Sequence, residues 1–225
     1  MAGVSWNPHG EIPRSRSTML TKEDAAELTE KTLAQFCKEF VENPYLCYTE
    51  HGLHALFFTR LYNAFPKDAR YFDFEKRKVC VIQKEYPTHH DLGSSRRQNW
   101  DISVIRPTEK LPGLKHPYDH LPLDAVVEFS MNYDEKHVKS DIHRLSHESS
   151  NVGLRLVAHL YRLGHKNRIS SRTRSTKSER VFERDHIREL LTSSEVVLYY
   201  GLADESGKRP SGLWRLSANG EQLIG

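Results

Sequence analysis

The sequence predicts an α/β fold in which a mixed central sheet is flanked by helices. Three observations predict it. From Glu50, apolar residues recur at Leu53, Phe57 and Leu61, with His54 on the same stripe, which is the period of a helix. Around Asp101 and Glu128 the period changes to two. Trp100, Ile102 and Val104 alternate with Asp101, Ser103 and Ile105, and Ala125, Val127, Phe129 and Met131 alternate with Val126, Glu128, Ser130 and Asn132. Finally, the chain has 225 residues, which suits one α/β domain with a sizeable core.

The elements follow in order. Residues 1–20 read as an irregular N-terminal segment, with Pro8, Pro13 and alternating Arg and Ser; residues 21–225 read as a single domain. Thr21 is a fitting N-cap, with Glu23 and Asp24 in the first turn of a helix that runs to about Glu42, where Asn43-Pro44 breaks it. The Glu50 helix comes next and ends near Phe65-Pro66. Val79 to Tyr86 reads as a strand, Pro87 to Asn99 as its connection, and the Asp101 strand ends at Pro107. Pro107, Pro112, Pro117 and Pro122 stiffen a connection of ~15 residues, long for one without regular structure. The Glu128 strand, a helix from Lys136 to His147 and a strand from Val152 to Leu163 opened by Gly153 complete the middle of the chain. A helix over 179–193, a buried strand in EVVLYYGL and a final edge strand in SGLWRLS close it.

Composition sets outer bounds. Net charge is +3, hydrophobic content 37% and mean hydropathy −0.66. No apolar run approaches a membrane span, and the first twenty residues lack the apolar core of a signal peptide. Cys37, Cys47 and Cys80 have no metal-ligand spacing and read as reduced core residues of a cytoplasmic protein that makes no membrane contact.

The chemistry lies in three carboxylates set in apolar surroundings: Glu50 on its helix, Asp101 and Glu128 on their strands. Burying an isolated carboxylate is costly unless a cation or donors compensate it. The strand alternation sets Asp101 and Glu128 side by side on a polar face, with Glu50 descending from the helix above. Together they would bind a hard cation, Mg2+ or Mn2+. Singly, each has a plainer explanation: a partly exposed helix residue, a turn residue, a solvated strand residue. A purely structural ion-pair network with Arg144 or Arg155 is a further one.

The order helix Glu50, strand Asp101, strand Glu128 resembles the PD-(D/E)xK nuclease superfamily, the restriction-endonuclease-like fold. Members run helix, three-stranded antiparallel meander, helix and further strand. The resemblance covers roughly residues 46–163. It implies metal-dependent hydrolysis of nucleic-acid phosphodiesters, DNA first among substrates, with Asp101 and Glu128 as metal ligands, Glu50 tuning the site and Glu85 as an accessory. It also implies a possible homodimer, since many members dimerise.

The chain departs from that pattern at one position. The lysine two residues beyond the strand glutamate is replaced by Ser130. Either the lysine has moved or the protein is an inactive nuclease fold that binds or scaffolds. The migrated lysine is expected at Lys139 or Lys136, early in the helix after the Glu128 strand, before Lys84, which alternation turns away from Glu85. Between Arg162 and Arg184 eight basic residues stand against two acidic ones, interleaved with Ser and Thr. Arg168, Arg172, Arg174 and Lys177 in this segment are candidate phosphate contacts; no aromatic residue interleaves with them to offer a stacking platform. Thirteen histidines raise a zinc reading. His143 and His147, at i and i+4, are the nearest to a ligand pair, and no carboxylate or thiol partner stands at a recognised spacing.

Overall fold

Thr21 starts the first helix by a reciprocal cap. Its Oγ1 accepts from Asp24 N at 3.1 Å while the Asp24 carboxylate accepts from the Thr21 backbone N–H. This structure is a computed structural model that describes residues 20–88, 99–113, 117–147, 150–163 and 181–225. Helix α1 (Lys22–Glu42) buries Ala25, Leu33, Phe36, Cys37 and Phe40 and ends at Asn43, as the Asn-Pro step predicts. Helix α2 (Glu50–Ala64) is capped by Thr49, whose Oγ1 accepts from Gly52 N, and buries the expected stripe of Leu53, His54, Phe57 and Leu61.

After α2 the chain forms strands β1 (Tyr71–Phe74), β2 (Arg77–Cys80), β3 (Ile82–Pro87), β4 (Asn99–Ile105) and β5 (Leu123–Met131). Helix α3 (Glu135–Ser146), strand β6 (Val152–Leu163) and helix α4 (Asp185–Thr192) follow, then strands β7 (Val196–Asp204), β8 (Gly212–Ser217) and β9 (Gly220–Leu223). Strands β1 and β2 pair only with each other; the other seven form one mixed sheet in the order β3-β4-β5-β6-β7-β8-β9. The pairs β5–β6 and β6–β7 are parallel and the rest antiparallel. Gly153 opens β6 because space demands it: an added Cβ would fall 2.8 Å from the Asp124 carbonyl oxygen.

The two helix pairs cover opposite faces of the sheet. Phe129 of β5 packs on Phe36 of α1 and Phe57 of α2. The next residue points the other way. There the Ser130 hydroxyl and His159 Nδ1 of β6 lie 2.6 Å apart, and His159 packs on Phe182 just before α4.

Several elements differ from the sequence pattern. The stretch from Val79 to Tyr86 is not one strand but the end of β2 and most of β3, divided at Val81, whose N–H donates to the Arg70 carbonyl while its own carbonyl accepts from Ile105 N of β4. The face of Val126, Glu128, Ser130 and Asn132 is not a polar, solvated face: these residues are 0%, 3%, 0% and 7% exposed. Helix α3 covers it, and β6 supplies its partners, His159 for Ser130 and the Arg162 N–H for Asn132 Oδ1. Strand β8 is not the edge; β9 pairs outside it through a tight turn ending at Gly220, whose φ of 121° suits glycine. Helix α4 begins at Asp185, later than expected, and residues 179 and 180 lie outside the described set. The described residues of the proline-rich connection, 107–113 and 117–122, contain one 3-10 turn, Pro117–His120.

None of the described helices is long and apolar enough to cross a membrane. Cys37 and Cys47 are buried, Cys80 is partly so, and none is in a disulfide.

The Ser130–His159 pair generates a prediction. Burial pushes the His159 imidazole from 6.5 down to about 3, so it stays neutral in the fold. The unfolded chain therefore binds one more proton than the native one between about pH 6.5 and about pH 3, and stability falls as pH drops through that window. This one group steepens the acid limb by up to about 1.4 kcal/mol per pH unit. Urea unfolding of His159→Gln across that range is expected to give a shallower limb than wild type; equal slopes would refute it.

Candidate functional site

The site forms where β4 leaves β5. The β4–β5 ladder pairs Ile102 with Val127 and goes no further toward Asp101. Beyond that point the Asp101 side chain takes the place of a backbone acceptor: its Oδ2 accepts from Phe129 N at 2.8 Å. Two residues on, Glu50, the first residue of α2, does the same, its Oε2 accepting from Met131 N at 3.1 Å. Burial raises the Glu50 carboxyl above its usual range, the Met131 N–H opposes this, and the Asp101 charge adds to it.

Glu128 lies beside them from the α3 side and is almost wholly buried. Its Oε2 is 2.7 Å from Arg144 of α3, and its buried Oε1 makes no hydrogen bond. Burial first, then the Asp101 carboxylate, push the Glu128 carboxyl well above its usual range against the pull of Arg144. Arg144 also reaches Asp141 Oδ1 at 3.3 Å and lies over the Trp100 ring. Asp141 is pushed up to about 7, by burial and by Asp101, against Arg144. Glu50, Asp101, Glu128 and Asp141 thus crowd one region, and Arg144 is the cation seated among them.

On the α2 side, His54 is 2% exposed, and neither ring nitrogen makes a hydrogen bond. Its Nε2 lies 3.5 Å from Asp101 Oδ2. Burial lowers its basicity most, Asp101 opposes that, and Lys84 adds to the lowering. Regular pairing of Lys84 with Ile102 sets its side chain on this face, and a kink in β3 brings Glu85 beside it. Glu85 has a φ of 57°, a left-handed conformation rare for a non-glycine residue, and drops out of the otherwise regular β3–β4 register. The kink overturns the expected alternation, so Lys84 and Glu85 do not face apart: Lys84 Nζ is 3.4 Å from Glu85 Oε1. Ligand atoms of His51, His54 and Glu85 all lie within 4.8 Å of one another.

The structure sets Asp101 beside both Glu50 and Glu128, with Glu85 near His54, but the three expected carboxylates do not close into one cluster: among the described residues only His51, His54 and Glu85 have ligand atoms all within 4.8 Å of one another. It does not bring in the expected lysines. Lys139 Nζ is held by Glu135 Oε1 at 2.6 Å, one turn back on α3, and Lys136 is exposed. Neither folds back over the end of β5, because α3 runs its buried face, not its basic one, along the sheet. Arg155 pairs with Glu195 at 3.1 Å, so of the two arginines considered for an ion-pair network only Arg144 belongs here. His143 and His147 are exposed and join no metal-ligand cluster among the described residues. Arg168, Arg172, Arg174 and Lys177 lie outside the described residues. A cavity lined by Leu20, Phe65, Val81 and Asp124 sits at the start of β5, and none of Glu50, Asp101, Glu128 and Asp141 lines it.

Sequence reasoning passed over Asp141 as a member of the site. A signal was present: Val138, Asp141, Ile142 and Leu145 follow the i, i+3, i+4, i+7 spacing of a buried stripe, and all four are buried.

Carboxylate oxygens in excess of the one guanidinium suit either a proton shared between Glu128 and Asp101 or a hard cation such as Mg2+ or Mn2+. The same crowding predicts the effect of removing Arg144. Arg144→Met is expected to cost about 3–5 kcal/mol in urea unfolding, because it strands buried carboxylates. The deficit should shrink below about pH 7, where Asp141 takes up its proton and needs no partner. A loss under about 1 kcal/mol would mean that the pair is in effect solvated.

Compared with known proteins, the chain matches no family model, no curated protein and no solved structure, so the chemistry of the site rests on its own geometry.

Proposed function

We propose that this protein is a divalent-cation-dependent nuclease that hydrolyses phosphodiester bonds of nucleic acid, with DNA as the first substrate to try. The observation that carries the reading is the position of Asp101 at the end of β5, with Glu50 bound to the same strand two residues on and the buried Glu128 close enough to feel its charge. The run α2-β3-β4-β5-α3-β6, with β3 to β5 antiparallel and β6 parallel to β5, supports it, because it has the order of the restriction-endonuclease-like fold. Asp101 and Glu128 would hold Mg2+ or Mn2+, with Glu50 alongside. When bound, the ion would polarise the scissile phosphate and acidify a water.

The chain's own residues supply the rest. Ser130 cannot stand in for the missing lysine, since it is buried against His159. Lys84 is the better-placed cation: its pairing with Ile102 sets it on the α2 side, where its charge is felt by His54, the neighbour of Asp101. Asp101 is fixed by the Phe129 N–H and Glu50 by the Met131 N–H, so both carboxylates are held before any ligand arrives. The basic segment from Arg162 to Arg184 would contribute phosphate contacts through Arg168, Arg172, Arg174 and Lys177.

A second reading is favoured by the 2.7 Å Arg144–Glu128 contact: the carboxylates form a structural ion-pair network in a non-catalytic nucleic-acid-binding or scaffold protein. Cleavage of plasmid, linear duplex, single-stranded DNA and RNA with Mg2+ or Mn2+ separates the two. Wild type is expected to cleave at least one substrate. Asp101→Asn and Lys84→Met should each lose about a hundredfold or more, while Lys136→Met and Lys139→Met keep their activity. Without metal, Asp101→Asn should be as stable as wild type or more so, since one of the crowded charges is gone. Wild type that cleaves nothing, with no calorimetric Mg2+ or Mn2+ binding, would sink the nuclease proposal in favour of the network.

A further inference from the structure

We propose that His51, His54 and Glu85 form a second metal site, built for a borderline transition ion of the zinc class and distinct from the oxygen-only carboxylate site. It does not rest on the nuclease reading.

The geometry is the first ground. One ligand atom from each of the three residues lies within 4.8 Å of the other two, close enough for a single ion to draw them in. His51 and His54 stand at i and i+3 on the first turns of α2, and their rings lie 5.7 Å apart. Glu85 comes from β3, across the packing of α2 on that strand.

The state of His54 is the second ground. It is 2% exposed, yet neither ring nitrogen makes a hydrogen bond. Buried imidazole nitrogens are ordinarily satisfied. A metal ion would satisfy one of them. Asp101 Oδ2, 3.5 Å from Nε2, is placed as the carboxylate that orients a ligating imidazole.

The third ground is the kink. Without the left-handed φ of 57° at Glu85, β3 would continue its alternation and this carboxylate would leave the cluster. Lys84 shares Glu85 at 3.4 Å, and a carboxylate has two oxygens to divide between an ammonium and an ion.

The donor set decides the kind of ion. Two imidazoles and one carboxylate suit Zn2+, Co2+ or Fe2+ with an open position for water, and disfavour Mg2+ and Ca2+. His51 and Glu85 are exposed, so an ion can enter from solvent and a small oxygen ligand can reach it.

The test uses the full chain stripped of metal. Calorimetric titration with Zn2+, and visible absorption with Co2+, are run on wild type, His51→Ala, Glu85→Gln, Glu50→Gln and His147→Ala, with circular dichroism confirming the fold of each. Wild type is expected to bind one equivalent of Zn2+ that millimolar Mg2+ does not displace. His51→Ala and Glu85→Gln should weaken it more than about tenfold, while Glu50→Gln and His147→Ala leave it unchanged. Equal Zn2+ affinity in wild type, His51→Ala and Glu85→Gln overturns the proposal. So does a loss confined to Glu50→Gln, which would put the ion in the carboxylate site, or to His147→Ala, which would put it on the surface.

Discussion

Where β4 parts from β5, the backbone N–H of Phe129 loses its strand partner, and the carboxylate of Asp101 takes it at 2.8 Å. A buried N–H without an acceptor would cost about 1–3 kcal/mol, so the substitution is what lets the strands open at all. Everything else at this end of the sheet is arranged around it. The opening admits the first residue of α2, whose carboxylate repeats the device at Met131. It gives Asp101 three neighbours at once: the backbone in the plane of the sheet, His54 from one face and Glu128 from the other.

That position has an electrostatic consequence. Asp101 raises the carboxyls of Glu50, Glu128 and Asp141, and one guanidinium, Arg144, answers two of them directly. The result is a region short of positive charge, in which protons or a bound cation can complete the balance. Such groups shift far from their ordinary ranges mainly at working sites, although structural networks also produce them.

The sequence was legible where a period controlled the structure. The α2 stripe and the α1 stop at Asn43 follow from spacing and from the proline position, and β6 is expected as a strand from Gly153 together with the family resemblance, its parallel pairing coming from the structure. It was less legible where partners come from afar. Whether a face such as that of Glu128 and Ser130 meets water depends on α3 and β6, which arrive later in the chain. The lysine was misplaced for a similar reason. Alternation is a rule for regular strands, and one left-handed residue at Glu85 cancels it without any glycine to announce the change. Lys139 looked near in sequence, but an ion pair one turn away holds it on the outer side of its helix.

The same kink matters at the margin of the sheet. Strand β3 is one of the two outermost strands, and an open margin is a template on which another chain can add its own backbone. A straight β3 would offer six residues of regular hydrogen-bonding groups. The left-handed turn at Glu85 breaks that row in its middle, and the ammonium and carboxylate of Lys84 and Glu85 stand at the break. At the far margin β9 is only four residues long and largely exposed. The molecule therefore resists strand-by-strand aggregation at both borders, at one by interruption and at the other by brevity.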